Sequence, residues 1–465
     1  MTDSTPRLRP PSPAAAHPPA RTAPETAARL RERIESRTAL VGVIGLGYVG
    51  LPLSLSFVDR GFRVLGFDID PGKVESLTAR RSYITHVDSG RIGSAMESGR
   101  LDVTVDFDRL DEPDAILICV PTPLDSHREP DMSYVESTAR ALARRLRRGQ
   151  LVVLESTTYP GTTEELLKPI LEAGGLACGT DFFLAFSPER EDPGNPDYTT
   201  TSIPKVVGGV DPVSGDLAEA FYDRLVVRTV RVSSARAAEA TKLAENVFRA
   251  VNIALVNELK MIYARMGIDI WEVLDAAATK PFGFVRFNPG PGWGGHCIPV
   301  DPFYLTWKAR EYGKATRFIE LAGEINTAMP EYVVDRVAEA LNAAGVAVRG
   351  SRILILGLSY KPNVGDDRES PSYHLMDLLE DRGAGVAYYD PYIPRIGPTR
   401  EHRRWEGTAS VSWDEETIES FDVVVISTDH AAVDYRQLAQ WARCIVDTRN
   451  AMADVPVDPE KVWKA

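Results

Sequence analysis

The arrangement of three glycines near the start of the chain constrains its fold more than any other feature. They lie in Gly45-Leu-Gly-Tyr-Val-Gly50, which follows the apolar run 40–45 and opens the helical pattern 50–60. In a strand–turn–helix unit the first glycine permits a tight turn, the second a close approach to pyrophosphate, and the third close helix packing. The pattern predicts a dinucleotide site on a Rossmann-type unit. A glycine-rich connector that binds nothing is the alternative.

A carboxylate at the end of the next predicted strand indicates which dinucleotide binds. Asp68 closes the apolar run 63–68, 18 residues after Gly50. A carboxylate at that position binds both ribose hydroxyls and repels a 2′-phosphate. The predicted cofactor is therefore NAD.

Strands and helices alternate along most of the chain. After the first unit, apolar runs of strand length cover 63–68, 115–120, 151–155 and 182–186. A second series covers 352–357, 386–390, 423–427 and 444–447. Strands separated by helical patterns are typical of parallel sheets covered on both faces. The second series lacks the full glycine spacing after its first strand, so it need not bind a dinucleotide.

Apolar residues between the two series recur every three or four positions. They predict one long helix from about Ala237 to Arg265, stopped by Gly267. Its stripe indicates burial between domains or against another subunit, and an ordinary core helix is the alternative. We therefore predict an α/β protein with two Rossmann-like, doubly wound parallel-sheet domains, at 39–234 and 331–465. A central helical region at 235–330 joins them.

The first 38 residues differ from the rest in composition. They are rich in proline, alanine and arginine, and they contain no apolar core like that of a secretory signal. Such a segment buries too little surface to offset the entropy lost on ordering. We predict a disordered tail over 1–38, with a short helix over 25–36 as the one ordered element it would allow.

Charge, hydropathy and cysteine usage exclude several classes of protein. The net charge of −13 disfavours a nucleic-acid partner, and the sequence has no run of 18 apolar residues that would predict a membrane span. The cysteines show no C-x-x-C spacing, so structural zinc and a disulfide framework are poor interpretations and no metal is predicted. Reduced thiols fit a cytoplasmic protein. The four cysteines are Cys119, Cys178, Cys297 and Cys444.

One cysteine lies in a setting that suggests chemistry. Cys297 follows Gly294 and Gly295, where the backbone lets a substrate come close, and Asp301 lies four residues further on. A helix beginning near His296 would favour the thiolate through its amide groups. We expect a nucleophilic thiol here, although a lone cysteine is more often a small buried apolar residue.

Other polar residues occupy positions suited to a site. Lys242 and Asn246 are spaced i,i+4 on the long helix and would stabilise an oxyanion together; a solvated polar stripe is the alternative. Glu189 follows a predicted strand and is a candidate acid or base, although loop glutamates usually have no such role. Thr122, in Val120-Pro-Thr-Pro123, follows another strand and would contact the ribose, unless the segment is only a stiff turn.

These motifs together resemble the UDP-glucose/GDP-mannose dehydrogenase family. The likeness runs from about residue 39 to the end and keeps the motifs in one order. It rests on the glycine fingerprint, Ser156-Thr157, Ser187-Pro-Glu189, Lys242 with Asn246, Gly294-Gly-His-Cys297 with Asp301, and Lys361 in Tyr360-Lys-Pro-Asn-Val-Gly-Asp-Asp-Arg-Glu-Ser370.

The resemblance implies an N-terminal NAD domain, a central dimerisation region, a C-terminal UDP-binding domain and an assembly of at least two subunits. It also implies two oxidations of the C6 alcohol of a UDP-sugar, with Cys297 carrying a thiohemiacetal and then a thioester. Lys242 and Asn246 would polarise the C6 oxygen, Asp301 would orient or activate water, and Glu189 and Thr157 would assist proton transfer. Substrate would be held by Lys361, Arg449, Gly294 and Gly295. NAD would be held by Gly45, Gly47, Tyr48, Val49, Gly50, Asp68, Lys73, Thr122 and Arg368.

Two departures point to the branch of the family that acts on N-acetylated sugars. Pro193 stands where the UDP-glucose enzymes often carry a second acid, and the spacer 280–290 is longer. We expect UDP-N-acetylglucosamine as substrate; UDP-N-acetylmannosamine and, less well supported, UDP-glucose are the alternatives. A non-enzymatic sensor of NAD or UDP-sugars and a one-step alcohol dehydrogenase are rivals of other classes.

Overall fold

An eight-stranded sheet forms the N-terminal domain of the computed structural model, which describes residues 23–84, 87–125, 127–190, 201–295, 298–399 and 402–465. The strand order is β3-β2-β1-β4-β5-β6-β7-β8, and all neighbours are parallel except β6 and β7. The strands are β1 (Leu40–Ile44), β2 (Arg63–Phe67), β3 (Leu101–Thr104), β4 (Ala115–Ile118), β5 (Leu151–Leu154), β6 (Phe183–Phe186), β7 (Lys205–Gly209) and β8 (Thr229–Arg231).

Helices cover both faces of this sheet, because its central strands are apolar at every position and cannot face water. Two separate apolar clusters result, one on each face. The helices are α1 (Ala23–Glu35), α2 (Gly50–Asp59), α3 (Pro71–Thr78), α4 (Ser89–Glu97), α5 (Ser133–Ala143), α6 (Lys168–Glu172) and α7 (Pro212–Tyr222).

Helix α1 corrects the expectation of a disordered tail over 1–38. Leu30 and Ile34 are buried in the core beside α7, and Arg33 pairs with Asp114 at 2.7 Å. The short helix that the sequence allows over 25–36 is present as α1, but averaging over the whole segment misses the apolar face that packs on the core. Residues 1–22 lie outside the described part of the chain.

Four helices make up the central region. They are α8 (Ala235–Met266), α9 (Ile270–Ala278), α10 (Asp301–Glu311) and α11 (Arg317–Ala343). Helix α8 is the long helix that the sequence predicts, and Gly267 ends it in a left-handed conformation (φ 71°). Helix α11 packs along α8 and runs without a break through residue 330, where the sequence analysis places a domain boundary. It therefore joins the central region to the last domain.

A smaller parallel sheet of order β10-β9-β11-β12-β13 forms the C-terminal domain. Apolar clusters again lie on both of its faces, so the predicted pair of Rossmann-like domains is confirmed. Among the described residues, no helix combines the length and hydropathy needed to cross a membrane. The elements are β9 (Arg352–Leu356), α12 (Pro371–Asp381), β10 (Gly385–Tyr389), α13 (Glu415–Glu419), β11 (Val423–Ile426), α14 (Tyr435–Trp441), β12 (Ile445–Asp447) and β13 (Val462–Lys464).

Candidate active site

Loops after β1, β4, β5 and β6 open onto one cavity of about 400 Å³. Carboxyl ends of parallel strands meet at one edge of a sheet, which is where ligands bind in such folds. The central helices and the C-terminal domain form the other walls. The predicted site residues that line the cavity are Tyr48, Val49, Thr122, Thr157, Glu189, Lys242, Gly294, Gly295, Asp301, Lys361, Arg368 and Arg449.

The glycine turn has the form that a dinucleotide requires. Gly45 has φ 91°, and a Cβ there would lie 2.5 Å from the carbonyl oxygen of Cys119. A Cβ on Gly50 would lie 1.9 Å from the carbonyl oxygen of Gly45, so the helix can start this close only at glycine. A Cβ on Gly47 would meet nothing within 4 Å, which leaves open space beside the backbone for a pyrophosphate. The residues present therefore fit NAD.

Asp68 follows β2 and is almost fully buried. Its Oδ2 accepts hydrogen bonds from the backbone N–H of Leu46 at 2.9 Å and from Nζ of Lys73 at 3.1 Å. Hydrogen bonds thus join Asp68 to Lys73 and to the glycine turn. The predicted ribose site needs the carboxylate beside this turn. Asp68 and Lys73 lie beside β2, outside the walls of the cavity.

Of the i,i+4 pair on α8, Lys242 lines the cavity, and Asn246 contacts an acid that also lines it. Lys242, Asn246 and Asp301 are all buried, and Asn246 Nδ2 donates a hydrogen bond to Asp301 Oδ2 at 2.5 Å. Burial raises the pKa of Asp301 to about 6, against the opposing effects of the nearby Lys242 charge and the Asn246 hydrogen bond. A carboxyl with that pKa can accept a proton near neutral pH.

Two glutamates follow the carboxyl ends of the neighbouring strands β5 and β6. Glu189 comes three residues after β6, and Glu155 directly follows β5; both line the cavity. Sequence reasoning singled out Glu189 and missed Glu155, although the same rule about strand ends applies to both. It also missed Arg249 on α8, Asn288 and Tyr360.

The C-terminal domain supplies three cations of the site. Arg368 lies over the ring of Tyr48 at 4.1 Å and is held by a bidentate pair with Asp366, which joins the C-terminal domain to the dinucleotide turn. Arg449 Nε donates to the carbonyl oxygen of Ser427 at 2.7 Å, and burial lowers its pKa. Lys361 lines the same wall.

A chain of buried amides ties the glycine-rich loop to α8. Asn257 accepts from the backbone N–H of Gly290 at 3.0 Å and donates to Asn326 Oδ1 at 2.9 Å. Asn326 in turn donates to the carbonyl oxygen of Ala250 at 3.2 Å. The loop that carries the predicted nucleophile is thereby anchored at its start.

Cys297 and His296 lie outside the described residues. Their described neighbours, Gly295 and Ile298, line the cavity. The helix expected near His296 begins later, at Asp301 (α10), and residues 298–300 form a turn. The helix start is therefore five residues later than the sequence analysis expects, and the stabilisation of the Cys297 thiolate by helix amide groups stays a prediction.

One group of potential metal ligands lies away from the main cavity, at His374, Asp377 and His402. The Asp377 oxygens already accept from Trp405 Nε1 at 2.7 Å and contact His402 Nδ1 at 2.9 Å. Hydrogen bonding within the domain accounts for this cluster, and the absence of a metal stays a prediction.

Three domain matches cover most of the chain. The NAD binding domain of the UDP-glucose/GDP-mannose dehydrogenase family matches residues 39–226, its central domain 236–328 and its UDP binding domain 354–454.

Relatives and solved structures agree with this assignment. A UDP-N-acetyl-D-glucosamine 6-dehydrogenase of Pseudomonas aeruginosa is 38% identical over 76% of this chain and 83% of its own length. A UDP-N-acetyl-D-mannosamine dehydrogenase of Pyrococcus horikoshii is 34% identical over 90% and 97%.

Among solved structures, a UDP-D-ManNAc dehydrogenase of P. horikoshii superimposes with a TM-score of 0.81 at 32% identity, covering 91% of this chain and 98% of the other. An NDP-N-acetyl-D-galactosaminuronic acid dehydrogenase of Methanosarcina mazei gives 0.74 at 29% identity, covering 94% and 97%. The chain belongs to the UDP-glucose/GDP-mannose dehydrogenase family and is an NAD-dependent UDP-sugar dehydrogenase.

Proposed function

We propose that this enzyme oxidises the C6 alcohol of UDP-N-acetylglucosamine twice, to UDP-N-acetylglucosaminuronate. The observation that carries the proposal is a single cavity in which Lys242, Asp301 and Glu189 face the Arg368–Tyr48 contact between domains. Support for an N-acetylated sugar comes from relatives named for the glucosamine and mannosamine enzymes. UDP-N-acetylmannosamine is the second candidate, since relatives of that name match over more of the chain.

The reaction balances with two NAD as hydride acceptors and one water. The first oxidation removes a hydride from C6 and a proton from its oxygen, which gives the aldehyde. The Cys297 thiolate then adds to the aldehyde carbon and forms a thiohemiacetal. A second hydride transfer gives a thioester, and water releases the carboxylate and the thiol. Covalent capture keeps the reactive aldehyde in place between the two oxidations.

The buried groups of the site suit these steps. Lys242 and Asn246 would stabilise negative charge on the C6 oxygen, and they need no reorganisation because both are held on α8. Asp301 would orient water and take its proton during thioester hydrolysis, and its raised pKa makes it a competent base. Glu189 and Thr157 would assist proton transfer from the wall formed by β5 and β6.

The opposite end of the cavity would hold the nucleotide. Lys361 and Arg449 offer cationic groups for the diphosphate, and the arginine geometry suits two phosphate oxygens at once. We also propose that the enzyme acts in the cytoplasm, where the thiol of Cys297 stays reduced.

A panel of sugar nucleotides tests the substrate. UDP-N-acetylglucosamine, UDP-N-acetylmannosamine and UDP-glucose are supplied separately, and NADH and acid are counted. We expect two NADH and one uronate per UDP-N-acetylglucosamine. If UDP-N-acetylglucosamine is not turned over, it is not the substrate, and the sugar nucleotide that does react takes its place in the proposal. One NADH with free aldehyde would mark a one-step alcohol dehydrogenase, and no turnover of any sugar would favour a sensor.

The Cys297→Ser variant tests covalent capture. We expect acid formation to fall by at least about 1,000-fold, because an alcohol is a far weaker nucleophile than a thiolate, while NAD affinity stays within about twofold. Steady-state turnover and NAD titration measure the two effects. Cys178→Ser, at a partly exposed position far from the cavity, is the matched control. Acid formation by the Cys297 variant at the original rate would contradict the covalent route.

A further inference from the structure

A buried lysine lies between the two glutamates that line the cavity. Nζ of Lys205, on β7, is 2.7 Å from Oε2 of Glu155 and 3.7 Å from Oε2 of Glu189. The side chains of Lys205, Glu155 and Glu189 are 5%, 0% and 14% exposed. Two carboxylates therefore share one ammonium group almost out of contact with water.

The remaining contacts of the cluster fix its geometry. Lys205 also donates to the carbonyl oxygen of Pro188 at 3.2 Å and lies over the ring of Tyr222 at 5.1 Å. The Tyr222 hydroxyl donates to Glu155 Oε1. Glu155 is thus held by a cation and a hydroxyl, while Glu189 receives the backbone N–H of Arg190 at 2.7 Å.

Charge counting shows why this cluster is more than a structural ion pair. Glu155 and Lys205 together are neutral when both are ionised, so an ionised Glu189 leaves one negative charge in excess. Excess buried charge is costly, and a proton arriving on Glu189 removes it. Lys205 therefore links the charges of the two carboxylates. A buried pair with only a structural role would need no second carboxylate facing the cavity.

Other ionisable groups around the cluster act on it more weakly. Cys119 lies beside Glu155 and Lys205, and burial raises the pKa of its thiol well above the usual range, so it is neutral. The Arg190 guanidinium is paired with Glu245 at 2.7 Å. Lys242 and Asp301 line the same cavity as the two glutamates. Lys205 is therefore the cation in contact with both glutamates.

We propose that Lys205 and Glu155 are positioning residues that set how readily Glu189 takes up a proton. This inference rests on the proposed function. In the first oxidation, the proton of the C6 hydroxyl goes to the Glu189 carboxylate as the hydride leaves C6 for bound NAD. The Glu155 charge makes Glu189 a stronger base, and the Lys205 charge keeps it ionised between turnovers. The proton then leaves to solvent when product departs.

Two variants should move the pH profile in opposite directions. Glu155→Gln removes a negative neighbour, so Glu189 holds its proton less tightly and the acidic limb of kcat/KM should move to lower pH. Lys205→Met removes the positive neighbour, so the limb should move to higher pH. We expect at least about one pH unit each way, the usual effect of a charge within contact distance. The assay uses the full chain and the UDP-sugar that turns over.

A second buried lysine that contacts two glutamates provides the matched control for Lys205→Met. Lys308 on α10 is 2.6 Å from Glu165 and 2.7 Å from Glu311, outside the cavity. Lys308→Met should leave the acidic limb in place. Lys205→Arg keeps the charge and should restore the limb to within a few tenths of a pH unit of wild type.

Opposite shifts support the inference. Limbs that stay in place, or that move the same way in both variants, would overturn it. Infrared absorption of protonated carboxyl groups, titrated in the unliganded protein, is an independent measurement for variants that do not turn over. Glu155→Gln should lower, and Lys205→Met raise, the pH at which the Glu189 band appears; unchanged titrations would also overturn the inference. Absence of turnover by the wild-type protein with every UDP-sugar would instead count against the proposed function.

Discussion

Burial of one carboxyl group links activity to stability at the scale of a single residue. Asp301 begins α10 beside α8, and within the described part of the chain one hydrogen bond and one nearby cation offset the loss of water. The pair Asn246–Asp301 spans 55 positions of sequence. The sequence motifs identify each of these two residues separately. They do not predict that the two side chains touch, because that contact depends on how α8 and α10 cross.

The Asp301→Asn variant tests this cost of burial. Folding raises the pKa of Asp301 from 3.8 to about 6. The folded protein therefore binds more protons than the unfolded chain between pH 4 and 6, and its free energy of unfolding falls as pH rises through that window. The variant should be more stable than wild type at pH 7, by up to roughly 3 kcal/mol.

Thermal unfolding between pH 4 and 7 measures the effect. The two unfolding temperatures should approach each other as the pH falls toward 4, because the wild-type carboxyl is protonated in both states only below its unfolded-state pKa of 3.8. Turnover of the variant should be lost over the whole range, since an amide cannot act as the base. Unfolding temperatures that differ by a constant amount across this range would contradict the raised pKa.

At the scale of elements, helix α1 shows how composition misleads. The segment is rich in proline and alanine, yet Leu30 and Ile34 fall one turn apart and meet the apolar surface of α7. Strands are easier to predict. The glycine turn, β1 and the long helix α8 agree with prediction to within two residues, because period and stop signals are local properties of the sequence.

Substitution within α1 gives a direct test of its docking. Ile34→Ala should lower the free energy of unfolding by about 2–5 kcal/mol, since it removes a fully buried side chain from the core. Arg31→Ala, on the exposed face, is the control and should change it by less than about 0.5 kcal/mol. Chemical denaturation measures both. Equal effects would mean that α1 does not contribute its apolar face to the core.

At the scale of the whole molecule, α8 leaves one face without apolar cover. Phe248, Leu255 and Ile262 are about half exposed (53%, 48% and 46%) and are spaced seven residues apart. A continuous stripe of this kind on a helix indicates a partner surface. We propose that a second copy of the chain covers it, in a homodimer or a larger homo-oligomer.

Sedimentation equilibrium tests the oligomer. Leu255→Asp should shift the protein toward the monomer by at least about tenfold in dissociation constant, because a charge is costly in an apolar interface. Val227→Asp, at an exposed apolar position in the N-terminal domain, should leave the mass unchanged. A wild-type protein that sediments as a monomer would remove the proposed dimer.

The sequence predicts both domains and most walls of the cavity, because each wall residue belongs to a motif at a strand end or on one helix. It does not predict how the walls meet. The stacking of Arg368 on Tyr48 and the sharing of Lys205 by two glutamates depend on packing between distant segments. Glu155 stands at a strand end, as Glu189 does, but the sequence does not show the contact with Lys205 that joins the two glutamates.

Helix α8 runs without a break past two side chains that contact the site. Asn246 donates a hydrogen bond to Asp301, and Asn257 accepts one from the backbone N–H of Gly290. Helical rise fixes the offset between them at about 16 Å. In the proposed reaction, this offset would set the distance between the nucleotide and the terminal carbon of the sugar. Sugars that share this span but differ at one ring stereocentre would present the same carbon to the same groups. One scaffold can in this way accommodate relatives named for glucosamine, mannosamine and galactosamine derivatives.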